Sequence, residues 1–275
     1  VCQLPWTYYY GWIKNCNTVL SLGGENPDEK FKAGEGIAYA MRAMFYMDLA
    51  RMYAPETYGK NKEALTVPLI TEKGTEDMYN NPRLTNEKMF EFILSDLNKA
   101  EEYLAGYKRE NKYTPDLSVV YGLKARAYLT MEDWANAEKY AKLAQQGYTE
   151  MTGEEYTSKT TGFNTANSSW MFATHFKSDD PNLRDNDGDT SWASQMIIEI
   201  GGSKGDCGYA ANYGYPLVVD RHLYETIPAT DFRKNCFVDF NIDNLTTNAE
   251  KLEALAKYSN EPSCILKAGA AATTY

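Results

Sequence analysis

The sequence predicts an all-α fold: a scaffold of antiparallel helical hairpins, followed by a loop-rich second half containing short strands and helices. Three observations predict it. Tyr121, Ala125 and Tyr128 fall at helical spacing, and after a Met131-Glu132-Asp133 turn Ala137, Ala141 and Ala144 form a small-residue stripe. The first half of that hairpin occurs 82 positions earlier as Tyr39, Ala43 and Tyr46, the same residue types at the same spacing. From Met151 to Cys207, in contrast, the chain is rich in Thr, Asn, Ser, Gly and Asp, and helical periodicity lapses.

Paired helices that bury rings against small side chains have the layout of a tetratricopeptide-like unit. Two unrelated antiparallel helix pairs would satisfy the same period. Taken in order, Trp6 to Leu22 reads as a helix with Trp12, Cys16 and Val19 on one face, ended by Gly23-Gly24. Glu35 to Tyr53 follows, its positions Tyr39, Ala43, Tyr46 and Leu49 holding a 3.6-residue period until Pro55 and Gly59 stop it. The second helix of this unit is displaced by an insertion between Met52 and Asn86, and Ile93, Leu97 and Ala100 supply its stripe. Within the insertion a loop runs through Val67-Pro68-Leu69-Ile70 to Pro82. Thr85 is placed to cap the displaced helix, with Glu87 in its first turn against the helix dipole. Thr114 before Pro115 marks the next start, a capping hydroxyl and then proline at the first helical position. Trp170 to Phe176 is β-prone, and Pro216 to Thr226 and Asn248 to Tyr258 read as helices. The boundary is set near residue 150, with 1–150 as scaffold and 151–275 as the loop-rich region. Trp6, Trp12, Tyr39, Tyr46, Tyr121, Tyr128 and Trp134 follow helical faces and are assigned to core packing.

Bulk properties narrow the function. The chain has 275 residues and a formal net charge of -10, which argues against nucleic-acid binding and against docking on anionic lipid by charge alone. No apolar run approaches the ~18 residues a spanning helix needs. The five cysteines, Cys2, Cys16, Cys207, Cys236 and Cys264, include no CxxC pair. Cys2 and Cys16 on one helix would stand roughly 21 Å apart. Buried free thiols are therefore expected, and with only His175 and His222 no zinc-ligand spacing arises. Residues Val1 to Trp6 show no basic segment followed by an apolar one, so no signal peptide is read there. Cys2 leads straight into helix without the tether a lipid anchor needs. Together with the closing Ala268-Gly269-Ala270-Ala271-Ala272, this makes both ends read as cut from something longer.

In order, several segments resemble one family. Trp6-Thr-Tyr-Tyr-Tyr-Gly-Trp-Ile-Lys-Asn-Cys-Asn17-Thr-Val-Leu20 is similar to the "Y..I..aN.iL" helix of the SusD/RagB family. Ala40-Met-Arg42-Ala43-Met-Phe45-Tyr46-Met-Asp48-Leu49 is similar to its "a..RA..Y..L" helix, followed by Tyr58-Gly59 and Val67-Pro68-Leu69-Ile70. Then come Ile93-Leu-Ser-Asp96-Leu97-Asn-Lys-Ala100 and Leu123-Lys-Ala125-Arg126-Ala-Tyr128-Leu129 with Trp134-Ala-Asn-Ala137. Pro216-Leu217 through Asp231-Phe232-Arg233 resembles the family's "P...l...y...D.R" segment. The resemblance implies a cell-surface, lipid-anchored outer-membrane protein of Bacteroidetes-type bacteria that binds glycan above a SusC-like TonB-dependent transporter. It also implies that the helices form the scaffold and that the later loops face the ligand. The family's signal peptide, lipid-bearing cysteine, opening segment and late "iR.AEayL..AEA" helix pair have no counterpart here.

Three sets of residues could carry chemistry. Gly201-Gly202-Ser203-Lys204-Gly205 fits a GxSxG pattern after strand-like Ile197 to Ile200, but Gly-rich sequence follows where a nucleophile elbow needs a helix. A polar loop is the better reading. Asp185, Asp187 and Asp189 cluster hard oxygen ligands, yet the glycine falls at position four where a calcium loop of the EF-hand type wants it at six. A solvated acidic turn is expected, with a structural calcium as the alternative and no other cofactor. Sugar binding asks for exposed rings that stack on a pyranose face, with amide, carboxylate or guanidinium groups for its hydroxyls. Trp192, Tyr209, Tyr213 and Tyr215 supply the rings, and Asn212, Asp206 and Arg184 supply the polar partners. The expected function is glycan binding without catalysis. A tetratricopeptide adaptor for protein partners is the first rival, and a glycoside hydrolase with two carboxylates across a cleft is the second.

Overall fold

In the computed structural model, residues 3–23, 27–74, 80–158, 166–174 and 221–236 are described. They fall into two compact units divided after Thr149, with Trp170–Ala173 belonging to the first. The described residues are mostly helical, and their one sheet has two strands.

Helix α1 spans Gln3–Gly23 and buries Ile13, Cys16, Asn17 and Leu20, a stripe at +3, +1 and +3. Trp12 was assigned to the core but is 43% exposed. It sits at the edge of that stripe, about 40° round the helix from Cys16 and 100° from Ile13. Helix α2 spans Glu29–Tyr53 and starts earlier than its period suggests, because Asp28 accepts the Phe31 N–H at 2.8 Å. Gly36 continues this helix where Leu104 crosses it, since a Cβ there would come within 2.8 Å of Leu104 Cγ. Leu49, Ala43 and Tyr46 are fully buried, and Tyr39 is partly so. The helix stops at Tyr53, two residues before Pro55.

The insertion is more ordered than the loop expected from sequence. Strand β1 (Leu65–Pro68) pairs antiparallel with β2 (Arg83–Thr85), and the Thr66 hydroxyl donates to Leu84 O at 2.9 Å. Thr85 then caps helix α3 (Asn86–Tyr103), as read from sequence. Met89, Phe90, Ile93, Leu97 and Ala100 of α3 are buried, the last three being the stripe the sequence supplied. Helix α4 spans Leu117–Thr130, beginning after the Thr114-Pro115 start read from sequence. Asp116 is the cap, accepting the Ser118 and Val119 N–H groups. Glu132, at φ 62°, makes the tight turn into α5 (Trp134–Ala144), which Asp133 caps. On α5, Ala137 and Ala144 are buried, but Ala141 is exposed, about 40° round the helix from Ala137. Trp134 was also assigned to the core. It is the first residue of α5 and is 63% exposed.

The helices pack in chain order, α1 on α2, α2 on α3, α3 on α4 and α4 on α5. In both hairpins, α2/α3 and α4/α5, the two tyrosines of the first helix meet rings of the second. Tyr39 meets Tyr103 with ring centroids 6.0 Å apart, and Tyr121 meets Tyr140 at 6.0 Å. Two turns on, Tyr46 meets Phe92 at 5.6 Å and Tyr128 meets the same Tyr140 at 5.6 Å. The tetratricopeptide-like pairing therefore holds in both.

Trp170 to Thr174, the described part of the β-prone run, is not a strand. Ala173 N–H donates to Lys112 O at 3.0 Å, and Lys112 Nζ donates to Trp170 O at 2.6 Å, tying the segment to the loop before α4. In the second unit, α6 (Gly153–Tyr156) carries a Thr152/Glu155 capping box. Helix α7 (Arg221–Thr226) covers the end of the Pro216 to Thr226 helix, and a 3-10 turn spans Phe232–Cys236. Arg233 pairs with Asp231 and holds its carboxyl down at about 2. Asn248 to Tyr258 lies outside the described residues, as does the GxSxG segment.

Candidate functional site

The buried charges of the scaffold sort into structural and accessible groups. Arg42 is structural. Its guanidinium is 2% exposed and donates twice to Asp96, at 2.7 and 2.9 Å. Two further donors reach Asn17 Oδ1 at 2.7 Å and Glu72 at 2.5 Å. The Tyr39 and Phe92 rings lie against it, 5.4 and 5.1 Å away. Burial pushes the Asp96 carboxyl up to about 6 against the pull of Arg42, so the pair is ionised at neutral pH. Four of its five N–H donors are engaged and the side chain is 2% exposed, so Arg42 presents nothing to a ligand.

The accessible group lies at the C-terminal end of α2. There Asp48 receives the Tyr9 hydroxyl at 3.2 Å and Arg126 Nη2 at 3.3 Å, with Arg51 4.0 Å away. Burial, and then the Asp48 charge, raise the Tyr9 hydroxyl above its ordinary value, so it stays a proton donor to the carboxylate. Tyr9, Asp48 and Arg51 border a cleft of about 620 Å³, a size usual for a small-ligand site. The facing wall is the loop from Pro55 to Tyr58 and the start of α3. Asn86 builds that wall by donating to Glu56 O at 3.1 Å and Asn61 O at 2.8 Å, and the Tyr58 ring packs on Phe90 behind it. The end of α4 supplies Thr130. The turn that follows is pressed against the loop, since a Cβ on Gly59 would meet the Glu132 carboxylate at 2.1 Å.

Beside the cleft stands an aromatic pair. Tyr8 and Trp12, 54% and 43% exposed, lie 6.1 Å apart with planes at 24°. Trp12 is backed by Phe45 at 5.3 Å and joined to the cleft through Tyr9 at 5.1 Å. The rings therefore form a supported surface rather than loose side chains.

This chemistry suits binding better than bond cleavage. Glu56 is held below its ordinary value by Asn61 and then Lys60, the opposite direction from a proton-donating acid. Among the described residues no group of His, Cys, Asp and Glu is placed to hold a metal.

The sugar-binding candidates Trp192, Tyr209, Tyr213, Tyr215, Asn212, Asp206 and Arg184 all lie outside the described residues, as do Asp185, Asp187 and Asp189. The cleft residues were not singled out from sequence. Tyr9 and Asp48 are 39 positions apart, and Asp48 and Arg126 are 78 apart, so no local spacing marks them. Trp12 was read on the face of Cys16 and Val19 and assigned to the core, so its spacing did not mark it either.

A family model described as starch-binding and associating with the outer membrane, SusD-like, matches residues 2–129. A SusD-like carbohydrate-binding protein from Bacteroides vulgatus superposes with a TM-score of 0.66 at 25% identity, covering 85% of this chain and 46% of its own. A SusD-like protein from Bacteroides fragilis gives 0.56 at 26% identity, over 75% of this chain and 39% of its own. A SusD superfamily protein from Bacteroides fragilis, 22% identical, shares the fold with a TM-score of 0.59 over 86% of this chain and 52% of its own. No curated protein matches. The family-model match and these superpositions support membership of the SusD-like family. It spans about half the length of these relatives or less. Among the described residues no helix is long and apolar enough to cross a membrane.

Proposed function

We propose that this protein captures glycan at the cell surface without cleaving it and passes it to a SusC-like TonB-dependent transporter. It works as a lipid-anchored protein of the outer membrane. The observation that carries this reading is the match of its helical array, over 85% of the chain, to a solved SusD-like carbohydrate-binding protein. Trp192, Tyr209, Tyr213 and Tyr215 stack on the sugar, and Asn212, Asp206 and Arg184 hold its hydroxyls. Binding is the whole mechanism.

Native gels cast with a panel of polysaccharides test it. Retardation by at least one polymer, without release of reducing sugar, is the expected result. Sugar release would replace capture with hydrolysis, and migration unchanged in every gel would favour a protein adaptor. Replacing Trp192, Tyr213 and Tyr215 by Ala together is expected to weaken retardation at least tenfold.

A further inference from the structure

The scaffold half holds a cleft and an aromatic surface that its own packing does not use. We infer that the cleft at the C-terminal end of α2, continued by the Tyr8–Trp12 pair, is itself a glycan-contact site. It takes a neutral oligosaccharide segment, apart from any segment held by the loop residues of the second half. The glycan class rests on the function proposed above; the location and the preference for a neutral chain come from the structure.

The first argument is shape. The cleft holds about 620 Å³ and draws its walls from α1, the end of α2, the loop after it, the start of α3 and the end of α4. All of these belong to the first unit. The α4–α5 turn lies close to the loop, with the Glu132 carboxylate beside Gly59.

The second argument is the polar set. Asp48 keeps acceptor capacity beyond the Tyr9 and Arg126 hydrogen bonds, and Arg51 stands 4.0 Å from it with its side chain half exposed. An adjacent carboxylate and guanidinium can accept from one sugar hydroxyl and donate to its neighbour. Each carboxylate at the cleft already has a cationic partner: Asp48 faces Arg126 and Arg51, and Glu56 faces Lys60. A charged ligand would have to displace one of these partners, whereas a neutral polyol shares them.

The third argument is the exposed rings. Tyr8 and Trp12 present nearly parallel planes on a helix, with Phe45 and Tyr9 holding Trp12 from behind. A preorganised aromatic face of this kind loses little freedom when a pyranose lies on it. The apolar C–H face of a sugar and the two rings would then leave water together.

The test uses the full chain in affinity gels containing soluble starch, a mixed-linkage β-glucan, galactomannan or, as the charged probe, polygalacturonate. For a neutral polymer that retards the wild-type protein, the Tyr8→Ala/Trp12→Ala double variant is expected to bind about tenfold more weakly. Asp48→Asn, which keeps the size of the side chain, is expected to bind about threefold more weakly. Thermal melts of both variants report whether the scaffold is intact. Oxidative footprinting of the wild-type protein gives a readout independent of any substitution. Saturating polymer is expected to cut oxidation of Trp12 several-fold while leaving partly buried Trp6 unchanged. Retardation that is unchanged in the double variant and in Asp48→Asn, with Trp12 unprotected, overturns the inference and leaves the capture function standing. Retardation by polygalacturonate alone also overturns it. If no polymer retards the wild-type protein, the capture function falls and this site falls with it.

Discussion

The two hairpins share one register but solve the same electrostatic problem differently. Arg42 of α2 and Lys124 of α4 occupy equivalent positions, each between the two tyrosines of its helix, and both are buried. Each cation also reaches an asparagine on the preceding helix, Asn17 for Arg42 and Asn98 for Lys124, both at 2.7 Å. There the likeness ends. Arg42 is held by Asp96, whose side chain is 5% exposed, and by Glu72 of the insertion. Lys124 pairs with Glu101, whose side chain is 34% exposed, and lies 4.8 Å from the Tyr140 ring. A planar guanidinium with a fixed fork suits a closed, dry cage, and a mobile ammonium suits a site open to water on one side. The first hairpin is thus a locked element and the second a softer one.

The comparison breaks most visibly at Arg42. Arg42→Ala leaves the Asp96 carboxylate buried without its counter-ion, and denaturant titration is expected to show a loss of about 3–5 kcal/mol. Lys124→Met should cost less, about 1–2 kcal/mol, because water can reach the abandoned Glu101. Equal losses at the two sites would mean that the difference between the cages has no energetic weight.

A third substitution sharpens the contrast by removing a misfit peculiar to the locked hairpin. Glu35 is buried on α2 with no hydrogen-bond partner for Oε1, and desolvation, then the nearby Glu72 charge, raises its pKa above 4.5. A carboxyl raised in this way contributes stability below its unfolded value that is lost as pH rises through the folded one. Glu35→Gln is therefore expected to gain about 1 kcal/mol at pH 7 and almost nothing at pH 4, measured by melts across that range. The smallest effect is expected where the two hairpins touch. Gly59→Ala pushes only the free end of the Glu132 side chain, so its stability should stay within about 0.5 kcal/mol of wild type.

The scaffold was largely legible because its helices are long and their buried positions periodic. Ile93, Leu97 and Ala100 could be found from spacing alone, as could the Tyr39/Tyr121 repeat. The β1–β2 ribbon could not, because strands of four and three residues are too short to show alternation. The opening of α2, Glu29 to Gly34, was missed because the 3.6-residue period that marks this helix begins only at Tyr39. Thr114-Pro115 pointed to the right neighbourhood, but the carboxylate of Asp116 captures two N–H groups that a threonine hydroxyl two residues earlier cannot reach. The cleft was illegible for a different reason. Tyr9, Asp48 and Arg126 become neighbours only when α1, α2 and α4 assemble, and each looks like an ordinary surface residue in its own helix.

Arg42 joins α1, α2, α3 and the segment after β1 at a single planar group. None of these four pieces can fray without breaking a contact shared with the other three. Slow-exchanging amides should therefore cluster in this knot and disappear from it together, while α5 opens on its own. Unravelling, whether by heat or by mechanical pull, would begin at that far edge and be halted at the knot.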